Sequence, residues 1–258
     1  MASSFRESPD PLVPPRFGVA TARTQVDMIA LAVEEDIVSG RIPPGSVLRQ
    51  EQLADRFGVS RMLVRKALRR LDALGLISFH PTRSVRVRTV SADDLRGAFL
   101  VRSALEGLAA ELAVGAITSD GLRELEAGRE AFEAETLTRL THSLDADESR
   151  EQTSEWLHAN DRFHDAILQA AGLPMLKSMA IGVRRVFQSQ PLWLASADAD
   201  AVLRAQIKEH AVVAAAIVAG SAEVASAMMR AHIMNTHRYV DAVLTESTNG
   251  TLRGRRRS

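Results

Sequence analysis

Residues 51–75, EQLADRFGVSRMLVRKALRRLDALG, decide the architecture of this chain. Glu51 to Phe57 has helical spacing, with Leu53, Ala54 and Phe57 on one side. Gly58 permits a sharp turn, and Ser60 is a good N-cap because its hydroxyl can accept from the unpaired amides of the turn that follows. A second helix is expected over 61–74, stopped by Gly75. At about 100° per residue, Val64, Ala67, Leu68, Leu71 and Leu74 share one face of it. Arg61, Arg65 and Arg69 step along the other, with Lys66 and Arg70 beside them. A short helix with Ser and Arg near its start suits the major groove of DNA. A solvated cationic face on a surface helix is the plain alternative.

The flanking segments extend the pattern. Residues 26–39 read as an amphipathic helix ending at Gly40, and Pro43-Pro44-Gly45 turns into a short strand. Beyond Gly75, LISFH and VRVRTV flank a turn at 81–84, and Val85, Val87 and Thr89 alternate with Arg86 and Arg88. That alternation suits a half-buried strand with a basic outer face. A helix, a helix-turn-helix and a two-stranded ribbon make a winged helix, with His80, Thr82 and Arg83 at the wing tip.

These residues resemble the GntR family of bacterial transcription regulators. The resemblance rests on Gly40-Arg41-Ile42-Pro43-Pro44-Gly45, Leu53-Ala54, Gly58-Val59-Ser60-Arg61, Val64-Arg65, Ala67-Leu68, Leu71 and Gly75-Leu76. The chain departs from the family pattern at Met62-Leu63, where Thr-Pro is usual, at Lys66, usually acidic, and at Ser84, often Gly. The resemblance implies binding to a palindromic operator in double-stranded DNA as a homodimer. Arg61 and Arg65 would read base edges, with Ser60, Arg49, Arg69, His80 and Thr82 on phosphates.

Charge and composition agree with two domains. The net charge of 0 hides an asymmetry: residues 1–90 hold 14 Lys+Arg against 9 Asp+Glu, hence +5, and residues 91–258 hold 18 against 23, hence −5. The basic half is the one carrying the helix-turn-helix, as phosphate binding requires. With 0 cysteines, disulfides and thiolate metal sites are excluded. No run of about 18 apolar residues and no apolar signal core is present, so a cytoplasmic protein without a membrane partner is expected. Residues 1–20 read as a disordered arm, 21–90 as the winged helix, 91–247 as a helical domain and 248–258 as a basic tail.

From Ser91 onward only helical periods appear, with helices expected over 92–115, 119–140, 151–171, 174–189, 198–219 and 221–246. Breaks fall at Gly172, Gln190-Pro191 and Gly220, and the acidic stretch 141–152 is expected to be the long loop. The fold class is therefore mainly α: a winged helix followed by an all-α bundle of about six helices.

Histidines mark its interior. If the last two helices form a hairpin at Gly220, His210 and His232 reach similar depth at about 1.5 Å per residue. Both sit among Ala, Val, Ile and Met. A divalent metal would satisfy both imidazoles, and His164 could complete a three-nitrogen set. Three separately hydrogen-bonded core histidines are the alternative. An enzyme with a catalytic metal and an architectural DNA-binding protein are the rival functions; no HExxH motif is present.

This half resembles the FadR-type (FCD) branch of the family, on Arg102-Ser103-Ala104-Leu105-Glu106, Asn160-Asp161-Arg162-Phe163-His164, His210 and His232. Metal-binding members would place a zinc, nickel or manganese ion on Asn160, His164, His210 and His232, although Asn160 stands where an acidic ligand is common. Asp161, about 100° round the helix, would lie outside the ligand set. The resemblance also puts Arg102 in the pocket, where a guanidinium can grip the carboxylate of a small organic acid effector. An i,i+4 pair with Glu106 is the alternative for Arg102. Asn235, one turn after His232, is a second effector-binding residue. The reading is a ligand-responsive regulator, a repressor, and not an enzyme.

Overall fold

The structure is a computed structural model describing residues 24–80, 84–142, 146–188 and 199–255. Helix α1 (Gln25–Val38) starts at Thr24, whose hydroxyl accepts from the Asp27 amide while Asp27 accepts from the Thr24 amide. Strand β1 (Val47–Leu48) leads into α2 (Gln50–Phe57) and α3 (Arg61–Ala73). Between those helices Gly58 adopts φ 62°, a left-handed conformation that favours glycine, and Ser60 caps α3 by accepting from the Leu63 amide. Val64, Ala67, Leu68 and Leu71 are buried against Ile29, Val33 and Ile37 of α1 in one apolar cluster.

The wing differs from the expected two-stranded ribbon. Strands β2 (Ile77–Phe79) and β3 (Val85–Val87) pair antiparallel, and β1 joins on the other side of β3, giving the order β1-β3-β2. Gly45, with φ 82°, turns the chain so that its amide donates to the Val87 carbonyl. Residues 81–83, including Thr82 and Arg83, lie outside the described residues, as do residues 1–23 and the expected break at Gln190-Pro191.

The rest is helical: α4 (Ala92–Ala116), α5 (Ser119–Thr141), α6 (Ala146–Ala170), α7 (Pro174–Gln188), α8 (Ala199–Val218) and α9 (Ala222–Arg255). Two expectations need correction. The acidic stretch 141–152 is not mainly loop, because α6 already begins at Ala146. Carboxylates such as Glu148 favour a helix start, where the amide dipoles point outward. Helix α9 runs to Arg255, past 246, since no proline interrupts it and Gly250 keeps a helical backbone.

Helix α4 packs along α9, and α5 along α6. A Cβ on Gly128 of α5 would lie 2.8 Å from the Phe163 backbone, so only glycine allows α5 to approach α6 this closely. Phe99, Phe132, Trp156 and Phe163 fill the core. Trp156 Nε1 donates to Thr136 Oγ1 at 2.9 Å, which satisfies the buried indole. The winged helix contacts the bundle through Arg185 Nε, 2.8 Å from Glu34 Oε1. Burial there raises the Glu34 carboxyl, with Arg185 opposing the shift. Among the described residues no helix is long and apolar enough to cross a membrane.

Candidate metal centre and nucleic-acid interface

Three helices bring three imidazoles together. His164 comes from α6, His210 from α8 and His232 from α9, at 1%, 0% and 3% exposure. One nitrogen from each lies within 4.8 Å of the others. His210 Nε2 and His232 Nε2 are 3.2 Å apart. Two nitrogens on one tetrahedral ion, each at about 2.0–2.1 Å, stand about 3.3 Å apart, so this spacing suits a shared metal. Phe163 stacks on the His210 ring at 4.1 Å between centroids, and Phe132 lies at 4.3 Å on a tilt.

Carboxylates fix two of the rings. His164 Nδ1 lies 2.5 Å from Glu106 Oε2, and His232 Nδ1 lies 2.8 Å from Glu209 Oε2. A carboxylate can only accept, so His232 Nδ1 carries the hydrogen and its Nε2 keeps a lone pair toward the centre. An arginine can only donate, so His164 Nε2 keeps its lone pair toward Arg102 and the centre, and Nδ1 carries the hydrogen close to Glu106 without an aligned hydrogen bond. His210 is then in deficit in either tautomer. With its hydrogen on Nε2 it can donate to His232, yet Nδ1 is buried without a hydrogen-bond partner. With the hydrogen on Nδ1, two lone pairs face each other at 3.2 Å. A cation between the Nε2 atoms removes the second conflict, so the residues fit a divalent metal. Burial pushes the His164 imidazole down to about 4 despite Glu106, and pushes His210 well below its ordinary value. Neutral rings are the ligating form.

Arginines line the same centre. Arg102 Nε donates to Glu106 Oε1 at 2.6 Å, and Arg102 Nη2 lies 3.4 Å from His164 Nε2. The intrahelical pair and the inward-pointing guanidinium are thus both present. Burial by itself raises the Glu106 carboxyl, but Arg102, His164 and Arg184 together hold it well below the usual carboxylate range. Arg184 of α7, 2% exposed, contacts Asp161 at 3.1 Å and pairs with Asp165.

Other expected residues fall into place with different partners. Asn160 is half-buried one turn before His164 on α6. Asn235 Nδ2 donates to Glu209 Oε1 at 2.5 Å, and its oxygen accepts from Arg238, so its amide orients the carboxylate that holds His232. Sequence reading missed Glu209 and the place of Glu106 beside His164.

In the winged helix, Arg49, Arg61, Arg65, Arg69 and His80 line one groove of about 840 Å³ together with Glu51, Phe79 and Ser84. The Arg69 guanidinium sits 4.2 Å over the Phe79 ring, tying α3 to the wing. Arg61 Nη1 lies 3.1 Å from Glu51 Oε1, both exposed, and the Ser60 hydroxyl accepts from the Leu63 amide, which leaves its hydrogen to donate outward.

A winged helix with a cationic face on α3, joined to a helical bundle with a polar, histidine-lined centre, is the make-up of a DNA-binding transcription regulator. Residues 25–87 match the family described as bacterial regulatory proteins, gntR family, and residues 98–235 match the FCD domain. The chain belongs to the gntR family of transcriptional regulators, in its FCD-containing form. It is similar to the "Probable D-xylose utilization operon transcriptional repressor" of Paenarthrobacter nicotinovorans, 28% identical over 83% of this chain and 87% of that protein. It is also similar to the HTH-type transcriptional repressor RspR of Escherichia coli, 30% identical over 54% of this chain and 56% of that one. The solved structure of E. coli McbR/YncC shares the fold, with a TM-score of 0.71, 22% identity, and coverage of 88% of this chain and 100% of that chain. The family is one of regulators, not enzymes.

Proposed function

We propose that the chain is a homodimeric repressor whose bundle holds a divalent metal and releases DNA when a small organic acid binds. The observation that carries this reading is the convergence of His164, His210 and His232, with His232 Nδ1 on a carboxylate, His164 Nδ1 2.5 Å from another, and two Nε2 atoms 3.2 Å apart. The three imidazoles hold the ion, with the Asn160 amide oxygen as an uncharged fourth donor. The metal, when bound, supplies open positions for a chelating carboxylate. Arg102, 3.4 Å from His164 Nε2, flanks that place and supplies a guanidinium to the same anion. Asn235 acts through Glu209. The effector must bind the DNA-incompetent arrangement more tightly than the competent one to have any effect.

On the DNA side, Arg61 and Arg65 read base edges, while Arg49, Ser60, Arg69, His80 and Thr82 meet phosphates. Dimerisation is supported by α4, whose outer face exposes Leu100 at 51%, Val101 at 46% and Leu108 at 39%. A second copy related by a twofold axis would cover them and set two winged helices on a palindrome.

The test is metal analysis of the native protein beside a His210→Ala, His232→Ala variant. One equivalent of zinc, nickel or manganese per chain, lost in the variant, is expected. A panel of small carboxylates should then raise the melting temperature of the metal-loaded protein and loosen its DNA complex. A metal-free native protein with an unchanged melting temperature in the variant would make the histidines structural. Arg65→Ala should weaken specific DNA binding by about 1–3 kcal/mol while the bundle stays folded.

A further inference from the structure

The DNA-facing side of α3 carries one residue that neither folding nor phosphate binding explains. Met62, in the first turn, is 69% exposed. At about 100° per residue it stands opposite the buried stripe of Val64, Ala67, Leu68 and Leu71. It lies within about 60° of Arg65, Lys66 and Arg69 on the same side. A single exposed apolar side chain is ordinary on a protein surface. This one, however, occupies the middle of the face on which its neighbours are cations, and it points away from the protein's own core.

We propose that Met62 is a specificity-determining residue that reads the C5-methyl group of a pyrimidine in the major groove. The inference rests on the DNA face described above. Base edges in that groove offer nitrogens, oxygens and amino groups, and a single kind of apolar group, the thymine methyl. The methionine side chain is unbranched and polarisable, so it can settle against that methyl without a strained rotamer. Its sulfur is at most a weak acceptor, so facing an unmethylated G·C pair it would strip water from polar edges and give little back. Each half-site should therefore hold thymine at one fixed position beside the bases read by Arg61 and Arg65. 5-Methylcytosine, which presents the same methyl, should restore binding lost at an unmethylated cytosine there.

The experiment first selects binding sites for the full-length protein from a random double-stranded DNA pool. Labelled duplexes of the selected site are then titrated with each thymine replaced in turn by deoxyuridine, which keeps base pairing and removes only the methyl. One thymine per half-site should show an affinity loss of about four-fold for the wild type, the worth of one methyl withdrawn from water. Met62→Ala, at an exposed position that leaves folding intact, should show no loss at that thymine. Equal penalties in wild type and Met62→Ala at every thymine would overturn the assignment. In that case Arg65→Ala separates the causes. If it still weakens the selected site, the DNA face stands without Met62; if it does not, the DNA face falls with it.

Discussion

Replacing Glu106 with Gln probes the interior of the bundle most directly. The side chain is 1% exposed, accepts from Arg102 Nε at 2.6 Å and lies 2.5 Å from His164 Nδ1. The amide keeps the shape and one acceptor oxygen but removes the charge. Arg102, 3% exposed, then becomes a buried cation without its carboxylate, with Arg184 facing the same place. Breaking one side of a buried ion pair costs roughly 3–5 kcal/mol. That is a large share of the roughly 5–15 kcal/mol that holds a typical protein folded. Arg102→Met should cost toward the lower end, because His164 and Arg184 still face Glu106. Arg102→Met with Glu106→Leu removes both charges and fills the volume, and Glu106→Leu alone, which strands Arg102 as Glu106→Gln does, closes the cycle. What remains is the orphaned His164 N–H, about 1–3 kcal/mol. The two sites should thus be coupled by at least about 2 kcal/mol. Urea unfolding of the metal-stripped protein by far-UV circular dichroism, with midpoint and slope compared, measures each term. Additive losses in the double variant, or a loss below about 1 kcal/mol for Glu106→Gln, would refute the reasoning.

Three further outcomes follow from the same geometry. Gly128→Ala puts a Cβ 2.8 Å from the Phe163 backbone, which cannot step aside, and should cost about 1–3 kcal/mol in thermal unfolding. Gly107→Ala meets the exposed Arg230 side chain first, at Cγ 2.5 Å away, so Arg230 must turn about its first side-chain bond; a side chain gives way more readily than backbone, so the cost should be smaller, and the reverse ranking would contradict the packing. In metal-stripped protein His164 titrates at about 4 when folded and near 6.5 when unfolded, so the unfolded chain binds more protons between those values. Stability is then full above about pH 6.5 and falls as the pH drops toward 4, with the loss continuing below as Glu106 takes a proton; a flat urea midpoint across that window would count against a neutral buried His164. Glu209→Gln should loosen zinc about 10–100-fold in a competition titration, because a neutral amide has one acceptor oxygen for two donors, His232 Nδ1 and Asn235 Nδ2; unchanged affinity would remove Glu209 from the site.

The parts of this structure that are local in sequence were legible in it. Gly58 and Ser60 define a turn and a cap within three residues, and the 3.6-residue period of α3 separates its core face from its cationic face. The hairpin at Gly220 was enough to set His210 and His232 at one depth, and their nitrogens are 3.2 Å apart. His164 joins them only because α6 packs against α5 across Gly128, a contact with no signature in either helix alone. Arg184 and Arg185 are adjacent in the chain, and nothing in their spacing tells them apart, yet one turns inward to Asp161 and Asp165 while the other meets Glu34 of the winged helix.

Helix α4 explains best why the site was only half visible. Three of its large aliphatics, Leu100, Val101 and Leu108, are exposed. The buried stripe is Leu95, Phe99, Arg102, Ser103, Glu106, Gly107, Ala109, Ala110 and Ala113. Spacing of three and four residues marks that stripe as well as it marks the other, and the stripe contains both members of an i,i+4 ion pair. Charges on an inward face are tolerated only when other elements complete them, as His164 and Arg184 complete Glu106 here. Aliphatics on an outward face, in turn, favour a helix that is covered by another surface. The two faces of α4 therefore support the same reading from opposite sides: a polar centre within the bundle, and a second copy of the chain against its outside.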